Sequence, residues 1–293
     1  MSDAAGPWTV LRLINWTKDY FARSGVDDPR LSAEILLADV LSCPRINLYA
    51  QFARVVGPED LARYRDYVRR AASSEPVSYI LGRREFYSLS LKVTPDTLIP
   101  RPETELLVDV VLECVRIRGA GRHWDVCTGS GCVAVAAARY APALEVLATD
   151  VSEAALAVAA ENAASLGVGG RVRTLHADLL ALPAEAAGMA PFDVITANPP
   201  YVSEAEMADL PANVRAEPKL ALCAGPTGLE MIERIVAGAP THLVVGGTLA
   251  TEIGLGQADR VYGLLRGDGR YEEIRFLKDP VGIDRTAVAR RKE

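Results

Sequence analysis

Only three histidines occur in 293 residues, at positions 123, 176 and 242, too far apart to form a metal-ligand pattern. The five cysteines, Cys43, Cys114, Cys127, Cys132 and Cys223, are odd in number, scattered and without a CxxC pair. Such usage fits neither a disulfide framework nor a zinc site, and it predicts reduced thiols in a cytoplasmic protein that holds no metal. No run of about 18 apolar residues is present, which argues against a membrane-spanning helix. The opening stretch MSDAAGPWTV lacks the basic and apolar regions of a secretory signal. An excess of positive charge is missing too: the net charge is −6, which weighs against a protein that grips a nucleic-acid backbone. One basic stretch, Arg63, Arg65, Arg69, Arg70, Arg83 and Arg84, fits either an acidic partner or the solvated end of a helix.

What remains is an ordinary globular composition, 49% hydrophobic and 24% charged, on a chain long enough for two domains. Residues 1–75 read as a small helical domain. Thr9 caps a helix carrying Leu11, Ile14, Tyr20 and Phe21 that stops near Gly25. Asp28-Pro29 opens a second through Leu31, Ile35, Leu36 and Val40, ended by Pro44, and Gly57-Pro58-Glu59-Asp60 opens a third with Leu61, Tyr64 and Val68 on one face. Residues 76–102 alternate like strands among glycine and prolines and suit a β-hairpin linker. Residues 103–293 change rhythm to strand and helix in alternation. The strands expected are Trp124–Cys127, Glu145–Thr149, Val172–Leu175, Phe192–Ala197 and Leu243–Thr251. Alanine-rich helices over Cys132–Tyr140 and Ser152–Leu166 lie between them, the latter closed by Gly167. This order predicts a doubly wound parallel α/β sheet. Tyr271–Leu277 and Thr286–Arg291 add an antiparallel hairpin at its edge.

Chemistry concentrates at the carboxyl ends of those strands, where open α/β sheets bind ligands. Asp125-Val126-Cys127-Thr128-Gly129-Ser130-Gly131 sits between the first strand and its helix; glycines there allow close backbone approach, and the helix offers free amides. Asp150 ends the second strand, where a carboxylate can accept both hydroxyls of a ribose. Gly129-x-Gly131-x-x-Ala134 with Asp150 also fits a dinucleotide fingerprint. Asp178 follows the third strand, placed to accept from an adenine amino group. Asn198-Pro199-Pro200-Tyr201 follows the fourth, and a dehydrogenase has no need of it.

An amide or exocyclic amine nitrogen is a weak nucleophile because its lone pair is delocalised. Methyl transfer from a sulfonium requires that lone pair aimed along the S–CH₃ axis. Asn198 brings a side-chain acceptor and the Pro199 carbonyl a second; together they hold two N–H bonds and draw electron density onto nitrogen. Prolines stiffen the loop and add no competing donor. Tyr201 offers a flat face for the planar group. No strong base is needed, since the methylated nitrogen turns acidic and loses its proton to water.

These residues resemble the HemK/PrmC family, which methylates the glutamine of the Gly-Gly-Gln motif in peptide chain release factors. Asn-Pro-Pro-Tyr is shared with amino-methylating DNA enzymes. More specific are Glu75-Pro76-Val77-Ser78-Tyr79-Ile80-Leu81-Gly82, Phe86-Tyr87, Thr97-Leu98-Ile99-Pro100-Arg101-Pro102-Glu103-Thr104-Glu105, Val214-Arg215-Ala216-Glu217-Pro218 and Gly282-Ile283-Asp284-Arg285. The resemblance implies a Rossmann-like class I S-adenosylmethionine-dependent methyltransferase with a C-terminal antiparallel hairpin and an N-terminal helical substrate-recognition domain. It implies S-adenosyl-L-methionine held by residues 127–131, Asp150, Leu179 and Asn198, with Asp178 at the adenine. Asn198, Pro199, Pro200 and Tyr201 would hold the substrate glutamine, and Asn198, Pro199 and Tyr201 would carry catalysis. Cys127 departs from the glycine frequent in the family, and Leu179 from an aromatic found in some members. Arg101 and Glu103 have no role legible in sequence.

The partner expected is a release factor, with no direct nucleic acid or membrane contact and a monomer favoured. Methylation of a ribosomal-protein glutamine is the nearest rival, because its chemistry would be identical. DNA adenine methylation would call for a basic surface and a base-flipping pocket. A NAD-linked oxidoreductase and a catalytically idle nucleoside-binding protein are the remaining alternatives.

Overall fold

The computed structural model describes residues 6–119 and 121–293; residues 1–5, at the head of the expected helical domain, and residue 120 lie outside the described residues. The chain forms two compact units, one running up to Gly82 and taking in Pro211–Ala216, the other holding Arg83–Leu210 and Glu217–Glu293.

In the helical unit, α1 (Val10–Ser24) starts where the Thr9 hydroxyl accepts from the Arg12 amide, and Gly25 ends it in the left-handed region. Leu13, Ile14 and Phe21 are its buried stripe. α2 (Pro29–Val40) begins on the preset φ of its proline, since Asp28 is itself left-handed and makes no side-chain cap. It stops at Leu41, before Pro44 is reached. A short α3 (Ile46–Ala50) precedes α4 (Pro58–Ala72), which buries Tyr64, Val68 and Ala71 against α1 and α2.

Residues 77–81, read from sequence as strand-like, instead form α5 (Val77–Leu81), started by Pro76 and stopped by left-handed Gly82. Burial of Ile80 in the helical core outweighs its β-branched preference. The basic stretch is divided between the two units. Arg69 and Arg70 of α4 pair with Asp66 and Glu75, while Arg83 and Arg84 belong to the other unit.

The larger unit opens with the hairpin of β1 (Arg83–Phe86) and β2 (Leu89–Lys92), turned by Tyr87 and Ser88, both at positive φ. There follow α6 (Glu105–Arg118), β3 (Gly121–Val126), α7 (Cys132–Tyr140), β4 (Leu144–Asp150), α8 (Glu153–Ser165), β5 (Val172–His176) and β6 (Phe192–Ala197). α9 (Glu230–Gly238), β7 (Leu243–Glu252), α10 (Ala258–Asp268), β8 (Tyr271–Lys278) and β9 (Asp284–Arg291) complete it. The seven strands lie in the order β8-β9-β7-β6-β3-β4-β5. β5, β4, β3, β6 and β7 are parallel, and β9 and β8 close the edge antiparallel.

Period-two alternation divides the core into two layers. Val146, Ala148 and Val194 point to the layer holding α6 and α7, whereas Trp124, Val126, Leu147 and Ile195 point to the layer holding α9 and α10. The alanines of α7 are buried all round, so the helix lies close to its neighbours. The order reverses between β3 and β6, which opens a crevice at the carboxyl ends of the parallel strands.

Candidate active site

A cavity of about 330 Å³ fills that crevice. Cys127, Thr128, Gly129 and Ser130 line it after β3, Asp150 after β4, Asp178 and Leu179 after β5, and Asn198 and Pro200 after β6. Gly131, Pro199 and Tyr201 are not on its wall. Gly131 serves packing: a Cβ there would lie 3.0 Å from that of Ala159, so α7 and α8 approach only with glycine at this point. Successive residues of an extended segment project to opposite sides, which places Asn198 and Pro200 on the cavity and turns Tyr201 away.

Beneath the glycine turn lies a buried polar chain. Asp125 accepts from the Thr128 hydroxyl at 2.6 Å and from the Thr196 hydroxyl at 2.7 Å, and His123 Nε2 stands 2.6 Å from Thr196 Oγ1. Thr196 spends its one proton on Asp125, so His123 donates from Nε2. Burial raises the Asp125 pKa to about 6 and lowers that of His123 to about 3. Asn162, fully buried on α8, donates to the carbonyls of Ser130 and Lys92 and accepts from the Lys92 amide. It ties the turn to β2.

The Asp150 carboxylate receives the Gly129 amide at 2.8 Å and the Ser152 amide at 2.9 Å. Burial pushes its pKa up while these amides pull it down. Two oxygens offer about four acceptor positions, so two remain for a ligand's hydroxyls. Asp178 pairs with Arg234 at 2.8 Å on the exposed rim. Cys127 and Leu179 both take positive φ, 58° and 49°, a conformation costing about 1–2 kcal/mol for a residue with a Cβ. A glycine at position 127 would adopt this backbone without that cost. Burial raises the Cys127 thiol pKa well above the usual range, which keeps it protonated.

Asn198 donates from Nδ2 to Thr104 Oγ1 at 3.2 Å, and Thr104 donates to Glu252 Oε2 at 2.6 Å. Tyr201 presents its hydroxyl to Glu252 Oε1 at 3.3 Å, and its carbonyl accepts from Gln257 Nε2 at 2.9 Å. Sequence reasoning read Asp125 only as the start of the glycine turn, and it missed Glu252, Asn162, Gln257 and Arg234. None forms a motif with its neighbours; Glu252, an acid closing an otherwise apolar strand, was the one signal available. Arg101 acquires a place: it forms an ion pair with Glu217, whose second oxygen accepts from the Ile99 amide at 2.9 Å. The pair braces the Asp96–Pro100 wall of the cavity against the Pro218–Ala221 wall.

A seven-stranded sheet with this strand order, an acid closing the second strand and a ligand crevice at the reversal point defines a class I S-adenosylmethionine-dependent methyltransferase. The hMettl16 catalytic domain, in a crystal structure with MAT2A 3′UTR hairpin 6, shares the fold at a TM-score of 0.58 and 17% identity. That match covers 75% of this chain and 81% of that one. A Pyrococcus furiosus methyltransferase matches at a TM-score of 0.51 and 19% identity, over 71% and 91% of the two chains.

The PrmC N-terminal domain family matches residues 12–82, and the Methyltransferase domain family matches residues 124–216. The release factor glutamine methyltransferase of Rhodopirellula baltica is 41% identical over 95% of each chain. That of Geobacter sulfurreducens is 39% identical over 99% of each. The chain belongs to the release factor glutamine methyltransferase family.

The residues present fit S-adenosylmethionine. Ser130 Oγ is buried on the cavity wall with no oxygen or nitrogen partner among the described residues and only the Cys132 thiol beside it, so it can take a polar ligand group. With Asp178 neutralised by Arg234, the lining keeps an excess of carboxylates in Asp96, Asp125 and Asp150, which favours a cation in the cavity.

Proposed function

We propose that this protein transfers a methyl group from S-adenosyl-L-methionine to the side-chain amide nitrogen of the Gly-Gly-Gln glutamine in a peptide chain release factor. The observation that carries the chemistry is the disposition of Asn198. Its amide nitrogen is committed to Thr104, which leaves Oδ1 for a donor in the cavity. The substrate assignment is supported by about 40% identity over nearly the whole length to release factor glutamine methyltransferases.

S-adenosylmethionine supplies an electrophilic methyl on a sulfonium when bound. Asp150 accepts the ribose hydroxyls with the lone pairs left over from Gly129 and Ser152, and Asp178 with Leu179 receives the adenine. Cys127 through Ser130 present backbone to the cofactor, and Gly131 lets α7 pack close behind them. Asn198 Oδ1 accepts one N–H bond of the glutamine amide at the cavity wall, and the Pro199 carbonyl, set back from that wall, accepts the second, so that the lone pair points at the methyl carbon. As positive charge grows on nitrogen, both acceptors bind it more tightly than they bind the ground state. Pro200 shapes the wall, and Tyr201 acts through Glu252. The helical unit recognises the protein substrate. Five free thiols support a reducing, cytoplasmic setting.

The test is incubation with labelled S-adenosylmethionine, purified release factors and ribosomes, followed by mass-spectrometric mapping of the label. Label on the release-factor glutamine supports the reading; label on a ribosomal-protein glutamine, or no transfer at all, refutes it.

A further inference from the structure

We infer that Thr104 and Glu252 form a relay that sets which end of the Asn198 side-chain amide faces the reacting nitrogen. The inference rests on the reading above, in which Asn198 Oδ1 is an acceptor for the substrate amide. An asparagine amide is nearly symmetric in shape but opposite in function at its two ends. Turned one way it accepts the substrate N–H bonds; turned the other it offers two more donors and repels them. Something must choose, and the choice is made by counting protons.

Thr104 Oγ1 carries a single proton and directs it to Glu252 Oε2 at 2.6 Å. Toward Asn198 it therefore only accepts, and the atom 3.2 Å away must be Nδ2. Oδ1 is left to the cavity that Asn198 and Thr104 both line. Glu252 is fully buried and does not line the cavity, so its effect on the Asn198 side-chain amide passes through Thr104. Its second oxygen takes the Tyr201 hydroxyl, which also anchors the far end of the Asn-Pro-Pro-Tyr segment.

The relay runs in this direction only while Glu252 is ionised. A protonated Glu252 donates to Thr104, Thr104 turns its proton to Asn198, and the amide inverts. Burial raises the Glu252 pKa to about 7; Glu103 pushes it the same way, while Thr104, Tyr201 and Arg285 oppose. Glu252 closes β7 next to Thr286 of β9; the charged groups Glu103 and Arg285 and the titratable Tyr201 and Cys132 face it. The resting state of the relay is thus sensitive to pH near neutrality.

The experiment measures kcat for a purified release factor against pH, together with the S-adenosylmethionine Kd, for four variants beside the wild type. Thr104→Val removes the hydroxyl at constant shape; kcat is expected to fall about 10²-fold with Kd within about threefold, the cost of a misaimed reacting pair. Thr104→Ser restores the hydroxyl and is expected to recover most of that loss, which a packing role would not predict. In the wild type kcat falls on the acid side near pH 7, and in Glu252→Gln this limb is absent on a lowered rate. Wild-type kcat in Thr104→Val, equal losses in the serine and valine variants, a loss carried by Kd instead of kcat, or an unchanged acid limb in Glu252→Gln each overturns the relay. Asn198→Ala separates the two levels. If it abolishes transfer while Thr104→Val does not, the relay alone fails; if it transfers normally, the underlying reading fails.

Discussion

Replacing Glu252 by glutamine removes a charge that folding has enclosed, and the expected effect on stability follows from the shift in its titration. Burial raises its pKa from the ordinary 4.5 to about 7. A group whose folded pKa exceeds its unfolded value favours the folded state fully below the unfolded pKa, and that contribution is lost as pH rises through the folded one. Stability of the wild type attributable to Glu252 therefore declines between pH 4.5 and 7. The span is about 2.5 units at about 1.36 kcal/mol each, or roughly 3 kcal/mol.

Glutamine has no proton to lose, so the stability difference between variant and wild type is expected to grow by roughly 3 kcal/mol across that window and stay flat outside it. Any fixed penalty for rearranged hydrogen bonds to Thr104 and Tyr201 appears equally at pH 4.5 and drops out of the comparison. The assay is urea unfolding of both proteins from pH 4.5 to 8.5, read as the change in their difference, with slopes checked for two-state behaviour. A difference that does not change with pH, or that moves in favour of the wild type at high pH, refutes the reasoning. A variant that gains stability relative to the wild type as pH rises, yet turns over more slowly, is the expected result, because the charge that costs stability sets the direction of the Thr104 proton.

Asp150→Ala removes the acceptor of the Gly129 and Ser152 amides and, on the proposed reading, of two ribose hydroxyls; its S-adenosylmethionine Kd, measured by calorimetry, is expected to rise by about 10² or more, from charge-assisted hydrogen bonds worth about 1.5–3 kcal/mol each. An unchanged Kd would remove the ribose role. Asn198→Ala is expected to nearly abolish methyl transfer while the cofactor Kd stays within about tenfold, since the residue aims the nucleophile more than it holds the donor. Asn162→Ala leaves the Ser130 and Lys92 carbonyls and the Lys92 amide without their partner, and the unfolding midpoint is expected to register a loss of about 2–4 kcal/mol. A loss below about 0.5 kcal/mol would mean that water replaces the side chain without penalty.

Much of the fold was legible because its signals are local. Phe192–Ala197 and Cys132–Tyr140 have the boundaries read from the sequence, one a short apolar run bounded by turn residues and the other a stretch of strong helix formers. Val77–Leu81 was misread because β-branched residues flanked by proline and glycine resemble a strand, and only their burial in the helical core decides otherwise. Asp28 looked like a cap, yet its left-handed backbone turns the carboxylate away from the first turn, and the proline does the work of initiation. Within the site, the cavity residues at the ends of four strands could be named in advance, because topology brings strand ends to one rim whatever the side chains do. Tyr201 could not be placed in advance, because whether it faced the cavity depended on the parity of an extended segment and on a carboxylate more than fifty residues away.

The order of strands and helices, the glycine turn, and the acids and asparagine at strand ends are properties of short stretches, and the sequence by itself determined them. What the tertiary structure decided is which of these groups lose water and which partners they find. Thr104 meets Glu252 across 148 residues, Asn198 meets Thr104 across 94, and Arg101 meets Glu217 across 116. A hydrogen bond is directional and works over about 3 Å, so its polarity belongs to an arrangement in space. A pKa near 7 for a glutamate exists only once the sheet has closed over it.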